Sequence, residues 1–505
     1  MKTVWVFGHQ LTMKLKGIQE MDPSKDIILM IEAKSRSRWQ DYHKQKLVLL
    51  FSAMRHFAEE LKEHGYKVDY RKCDSFEDGW KEHADQFKPD EAVLHLPADD
   101  KMRTALKKWK KDQKIQVEFL EENALFLTSE ADWKNLLPDK EEWKLDPVYR
   151  KLRKEFGILM DGDKPEGGKW SFDQENRKPP KEGLEFKKTK AVRPDAITKD
   201  VIKEVSEVYG DNIGSLESFH WPVTRKKAEE AFRHFLKHRL QTFGDYQDAM
   251  MEEEPFMSHS LISSALNIGL LDPLDILEKA EKAYRDGDAP LASVEGLIRQ
   301  ILGWREYMRG VYLRKMPGYA KVNALRHQLP IPDFFWTAET KMNCVHQAVK
   351  SVIEHGYSHH IQRLMVLGNF AALAGIKPSD VSDWFNEAYI DAYDWVVLPN
   401  VLGMALYADD GLISTKPYVS SGNYINKMSN YCSSCFYQVK NKTGDKACPF
   451  NSLYYDYLDR HEKKLSSNSR MKFNYKNLGK LSKDSRKEIL ERAKEVKELM
   501  KKGEL

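Results

Sequence analysis

Three of the five cysteines in this 505-residue chain fall between Tyr431 and Phe450: Cys432 and Cys435 as a C-x-x-C, then Cys448 followed by Pro449. Two cysteines separated by two residues turn both sulfurs towards one ion or cluster, because the intervening turn brings their Cβ atoms together. Cys448 closes most of a coordination shell. A fourth ligand has to come from elsewhere, and the remaining cysteines are Cys73, in a strand-like segment, and Cys344, in a helix-like one. Cys344 is the expected ligand. Any fold of this chain must then bring that distant helix against the Tyr431–Phe450 stretch.

Zinc and iron-sulfur chemistry both remain open on spacing. Structural zinc sites pair two local knuckles in a small module. A remote fourth thiolate and a Cys-Pro ending suit an iron-sulfur cluster, which ties together parts of a larger fold. A disulfide is disfavoured, because the chain shows no signal peptide and too few cysteines for a secreted framework, so a cytoplasmic location is expected.

A chain of this length holds two or three domains. Lys+Arg 81 against Asp+Glu 77 leaves a net charge of +4, which neither demands nor excludes nucleic acid. The basic runs Lys151 to Lys154, Lys187 to Arg193 and Arg225 to Lys227 could track phosphates, although solvated lysine-rich surface is the simpler reading of any one of them. No run of eighteen apolar residues occurs, so no membrane span is expected.

Short apolar runs at Val4–Phe7, Ile27–Ile31, Val68–Arg71, Ala92–Leu96 and Val117–Leu120 alternate with helix-period segments such as Lys44–Glu63 and Lys101–Lys111. Strands alternating with helices argue for a parallel sheet covered on both faces, so residues 1–130 are expected to form a Rossmann-like α/β domain. Its first strand runs into Gly8-His9-Gln10-Leu11, not a G-x-G-x-x-G loop. Gln10 and Glu32, each just past an expected strand, stand where such sheets meet ligands, though ordinary loop residues also stand there. Residues 131–222 read as a long interdomain connection with some helix. Residues 223–505 read as helix after helix, beginning at a Thr224 cap and including Leu291–Leu313, Lys341–His355 and His360–Ala374.

Four polar and aromatic groups stand out in the helical part. Tyr246 precedes a hydroxyl-rich turn holding Ser258, Ser260 and Ser263. Gln300, Trp304, Arg305 and Glu306 share one helix. His359, His360, Arg363 and Asn369 share another, and Asp391, Asp394 and Asn400 form an apparent loop. Each group has a structural explanation alone. Together they suggest a large polar cofactor held between helices. Adjacent histidines on a helix point about 100° apart, so only one of His359 and His360 can face a given site.

These groups, in this order, resemble the flavin-binding domain of the cryptochrome/photolyase superfamily. The Cys344, Cys432, Cys435 and Cys448 set, Gly167-Gly-Lys-Trp170 and Lys416-Pro-Tyr-Val-Ser-Ser-Gly-Asn-Tyr-Ile425 resemble its iron-sulfur bacterial branch, the bacterial (6-4) photolyases, over essentially the full length. The resemblance implies an α/β domain followed by a large all-α domain, and light-driven repair of (6-4) pyrimidine lesions by an electron from excited reduced FAD. It implies a 4Fe-4S cluster on the four cysteines and a 6,7-dimethyl-8-ribityllumazine antenna met by Gln10 and Glu32. FAD would contact Tyr246, Ser258, Ser260, Ser263, Gln300, Arg305, Arg363, Asn369, Asp391, Asp394 and Asn400. His360, beside His359, matches the catalytic histidine, and Trp304 the aromatic residue near the damaged base. Trp384 and Trp336 match electron-relay positions, with Trp395 as a substitute because Phe385 stands where some relatives carry tyrosine. The implied partner is UV-damaged DNA with the lesion flipped out, met by a monomer and drawing it to the nucleoid. A blue-light receptor with the same cofactors is the alternative. A further departure is Ala408-Asp-Asp-Gly411, where two glycines are expected and Asp410 would have to supply any positive φ.

Overall fold

The computed structural model describes residues 1–121, 124–140 and 142–505. Strands β1 (Lys2–Trp5), β2 (Ile27–Ala33), β3 (Lys67–Cys73), β4 (Glu91–His95) and β5 (Gln116–Leu120) pair in parallel in the order β3-β2-β1-β4-β5. Period-two alternation sends Trp5, Phe7, Leu29 and Ile31 to one face and Val4, Val6, Ile28 and Met30 to the other. The first face closes a small core of its own under helices Phe76–Phe87 and Asp100–Lys111, with Trp5 stacked on Trp80 at 5.7 Å. The second face, under helix Lys44–Glu63, opens into a core that continues through Trp133, Leu152, Phe235, Val345 and Leu453. The sheet and the helical part therefore share one apolar interior.

The second strand is longer than its apolar run. Glu32 lies inside β2, in register with Lys72, not in a loop beyond it. A carboxylate can sit there because Arg55 donates to it twice (2.8 and 3.1 Å) and the Tyr70 hydroxyl donates as well. Arg55 also pairs with Glu204 (2.5 Å), on helix Ala196–Val208 of the long connection. The connection is thus docked against the α/β layer. Its helix Glu130–Leu136 starts at a Ser129/Asp132 capping box and buries Trp133 against the helical part.

Thr224 caps helix Arg225–His238, which breaks at Arg239 and resumes as Leu240–Tyr246. The helices expected over 291–313 and 360–374 each contain a π-helical stretch, Arg299–Arg305 and Gln362–Gly368. The apparent loop from Asp391 to Asn400 becomes helical at Asp394, with a third π-helical stretch at Pro399–Ala405. Asp410 has φ +62°, followed by Gly411 at +88°, so an aspartate does take the left-handed backbone expected of glycine. Among the described residues, no helix is long and apolar enough to cross a membrane.

The joint between connection and helical part is testable at Gly310. A Cβ there would land inside the Trp133 indole, whereas one on Gly318 meets nothing within 4 Å. Gly310→Ala is expected to lower stability by about 1–3 kcal/mol through overpacking, and Gly318→Ala by far less, in urea denaturation. Equal midpoints for the two variants would contradict this packing.

Candidate functional site

A π turn inserts an extra residue into a helical turn and rotates the side chains beyond it, a distortion often found at functional sites. Here the three π-helical stretches carry Gln300, Trp304 and Arg305, then Arg363, then Asn400. Arg363 donates from two nitrogens to the Asp391 carboxylate (3.0 and 3.2 Å) and from Nε to the Ser358 carbonyl (2.7 Å). Ser263 Oγ donates to the same carboxylate (2.7 Å). Burial alone would push the Asp391 carboxyl up, but the Arg363 charge and these hydrogen bonds hold it below the usual range. Asn267 links this pair to a second cation: its amide donates to the Asp391 carbonyl (2.9 Å), and its oxygen accepts from Arg305 Nε (3.4 Å). Arg305 lies over Phe126 (4.4 Å) and Trp395 (5.3 Å), and its Nη2 is buried with no partner among the described residues. Burial lowers its pKa to about 10.

The two histidines diverge, as their spacing requires. His359 is buried and stacks on His259 at 4.5 Å and 12°. Both His259 nitrogens face carbonyls, of Gln247 (3.2 Å) and Phe256 (3.3 Å), while His359 Nδ1 is buried without a partner among the described residues. His360 is exposed. Its pKa is nevertheless lowered to about 4, by desolvation and then by the Arg363 charge. An exposed ring that the surrounding protein still desolvates lines a recess. Gln300 is exposed, and Tyr246, Ser260, Ser263, Trp304, Arg363, Asp394 and Asn400 are half-buried. Other expected contacts are turned inwards: Ser258 bonds Thr242 (2.7 Å), and Asn369 exchanges two hydrogen bonds with the Ser420 backbone (3.0 Å each). Asp394 accepts from Asn386 (2.8 Å), and the Asn400 amide donates to Val396 one turn back (2.8 Å).

An aromatic path reaches this recess. Trp336 lies 6.5 Å from Trp384, which lies 5.6 Å from Tyr389, and Phe385 is stacked on Tyr389 at 5.1 Å. Arg363 sits 4.1 Å over the Tyr389 ring. Tyr389 escaped the sequence reading because a tyrosine ending an apolar helix looks like core. Trp395 stands apart from this path, packed on Phe126 at 4.9 Å.

Cys344, the second residue of helix Asn343–His355, lines one pocket with Cys432, Cys435 and Cys448. Cys73 stays in the sheet, beside Glu82. All five cysteines are free thiols. Among the described residues no three His, Cys, Asp or Glu side chains converge on a single ion position; the four thiols instead surround a void. Burial pushes the thiol of Cys344 well up, that of Cys448 to about 12 and that of Cys432 to about 11. A cationic guest would have to supply the charge that ionises them. Gly422 allows the close packing, since a Cβ there would lie 2.8 Å from Cys448 Sγ. The Asn451 side chain fixes three segments around the pocket, accepting from Gly422 N (3.1 Å) and donating to the carbonyls of Val439 (2.7 Å) and Asn441 (2.8 Å).

In the α/β layer, Gln10 is buried and already donates to the His95 carbonyl (3.0 Å), with its oxygen facing Phe7 N (3.4 Å). Glu32 is engaged by Arg55 and Tyr70.

Residues 4–221 match the family model of deoxyribodipyrimidine photo-lyase-related proteins. A protein of Agrobacterium fabrum named a (6-4) photolyase is 43% identical over 496 residues, 97% of this chain and 98% of that one. The fold is similar to a bacterial class III photolyase from Agrobacterium tumefaciens, with TM-score 0.59 and 15% identity over 99% of this chain and 98% of that one. It is also similar to a Synechocystis cryptochrome, with TM-score 0.58 and 14% identity over 99% of each chain.

The buried imidazoles and the Arg363–Asp391 pair make the protein acid-sensitive. Burial lowers His43 and His461 to about 4 and His327 to about 3. The unfolded chain therefore binds more protons than the native one below about pH 6.5, and stability rises with pH in that window. Asp391 acts in the same direction, its contribution being lost as pH falls through its depressed native pKa. The urea midpoint is expected to fall steadily from about pH 6.5 to 4; a flat profile would contradict this account. Asp391→Asn, which strips Arg363 of its counter-charge, is expected to cost about 3 kcal/mol at neutral pH.

Proposed function

The chain belongs to the photolyase family that includes the Agrobacterium (6-4) photolyase, and from that premise we propose that it repairs (6-4) pyrimidine lesions in DNA under blue light. The observation that carries the proposal is the near-full-length relationship to that enzyme. The recess presenting His360 beside the Arg363–Asp391 pair supports it.

FAD fits here because Arg305 has a buried nitrogen without a partner among the described residues, and Arg363, in its bidentate ion pair, keeps part of its surface exposed. Bound in its reduced state and excited by blue light, it would supply one electron to the lesion. The chain's own residues do the rest. Arg363, held by Asp391 and Ser358, and Arg305, held by Asn267, are the cations available to orient a flavin and its phosphates. Trp304, half-buried and edge-on to Tyr307 (6.0 Å), offers a ring to a flipped-out base. His360 is the proton donor: electron gain makes the lesion more basic, and a positioned imidazolium delivers the proton without waiting for water. With its pKa lowered to about 4 by desolvation and the Arg363 charge, this ring becomes an imidazolium near neutral pH when the negative charge of DNA and cofactor offsets that shift. Trp336, Trp384 and Tyr389 form the route by which an electron would re-reduce the flavin.

The four thiols suit a 4Fe-4S cluster, because cysteines from segments far apart in sequence line one pocket with apolar neighbours. Gln10 and Glu32 do not fit a lumazine in the same way. Their polar groups already have partners within the chain.

The direct test is repair of an oligonucleotide carrying one (6-4) lesion by the reduced protein. Light-dependent restoration of both bases is expected, with none in the dark; flavin and cluster without repair would replace the proposal by a photoreceptor. His360→Ala is expected to abolish repair and leave flavin absorbance unchanged. Because the protonated ring is the active form, repair per absorbed photon is expected to fall as pH rises from about 6 to 9. A pH-independent yield in that range would remove His360 from the proton step.

A further inference from the structure

The helical turn that carries His360 is also attached to the cysteine pocket. Gln362 is buried, and its side chain reaches back to accept a hydrogen bond from the backbone N–H of His359 (3.0 Å). This is the backward half of a capping box, which fixes where the turn begins. The other end of the same amide donates to the Tyr431 hydroxyl (3.0 Å). Tyr431 is itself buried and lines the pocket with the four cysteines. Its backbone carbonyl accepts from Asn343 (2.9 Å), the neighbour of Cys344, and its chain neighbour is Cys432. One amide therefore spans from the pocket wall to the start of the His359–Arg363 turn. On the far side of that turn Arg363 is tied to Asp391, so the histidines are suspended between the two sites.

Resting on the repair reading, we propose that Gln362 is a positioning residue that ties the placement of His359 and His360 to the wall of the four-cysteine pocket. Tyr431 and Cys432 are chain neighbours, so a shift of the Cys432 segment moves the hydroxyl that Gln362 holds. Gln362 converts that position into the position of the His359 amide, and His360 follows directly in the chain. Misplacement of a proton donor by about 1 Å is enough to cost a large part of a rate. The pocket wall thus serves the reaction through the placement of His360.

The test uses cluster-loaded, flavin-loaded protein with Tyr431→Phe, which removes only the hydroxyl, and Gln362→Leu, which removes both bonds. Amide hydrogen exchange over residues 358–364, lesion-binding affinity, iron content and repair per absorbed photon are measured for each variant and for the double variant. Each single change is expected to speed exchange of the His359 amide about ten-fold, the worth of one buried hydrogen bond, and to lower repair about ten-fold. Lesion affinity and iron content should stay at wild-type values, and the double variant should be no worse than Gln362→Leu. Wild-type exchange in Tyr431→Phe overturns the proposal, as does loss of iron in that variant, which would confine Tyr431 to the pocket. Exchange is read without DNA, so a wild-type protein that repairs nothing would sink the repair reading and leave this coupling to stand or fall by itself.

Discussion

Thiols from segments far apart in sequence face one void, and the architecture of the C-terminal half follows from that requirement. The helix bearing Cys344 has to lie against the Tyr431–Phe450 stretch, and helix Pro449–Arg460 has to start at Cys448. Gly422 and Asn451 are then constrained by closeness to a sulfur and by three loop carbonyl or amide partners. Burial raises the thiols of Cys344, Cys432 and Cys448, so a cationic guest would supply the charge that ionises them. A guest that binds only the native arrangement stabilises it by mass action.

The same economy of partners runs through the flavin-side recess. Its charges are taken from water, yet each has a neighbour that fixes its direction: Asp391 for Arg363, Asn267 for Arg305, Ser263 for Asp391. Two of the π-helical stretches carry the cations, Arg305 and Arg363, without breaking the helices that hold them. Because Gln362 and Arg363 are consecutive, their side chains leave the turn in different directions, one to the cysteine pocket and one to Asp391. The recess and the pocket are thereby parts of one scaffold.

Much of this was legible in the sequence, for identifiable reasons. Strands buried on both faces must be apolar throughout, so β1, β2 and β4 announce themselves; Glu32 misled because a charge reads as a strand end until Arg55 is seen beside it. The divergence of His359 from His360 follows from helix geometry; Arg363 and Asp391 are assigned to the flavin only through the family resemblance, and their pairing is seen in the structure. The π-helical stretches were invisible, since their composition is that of ordinary helix and they differ only by where one extra residue is accommodated. Asn267, His259, Gln362 and Tyr389 were missed because each acts through a neighbour distant in sequence. Residue type alone says nothing about which carbonyl or ring that neighbour will present.

The claim on which the account turns is that Cys344, Cys432, Cys435 and Cys448 enclose a polynuclear cluster. Iron, acid-labile sulfide and zinc in anaerobically purified protein test it most directly. About four irons and four sulfides per chain, lost together in Cys344→Ala, is the predicted result. One zinc per chain without sulfide, or an undiminished cluster in Cys344→Ala, would contradict it.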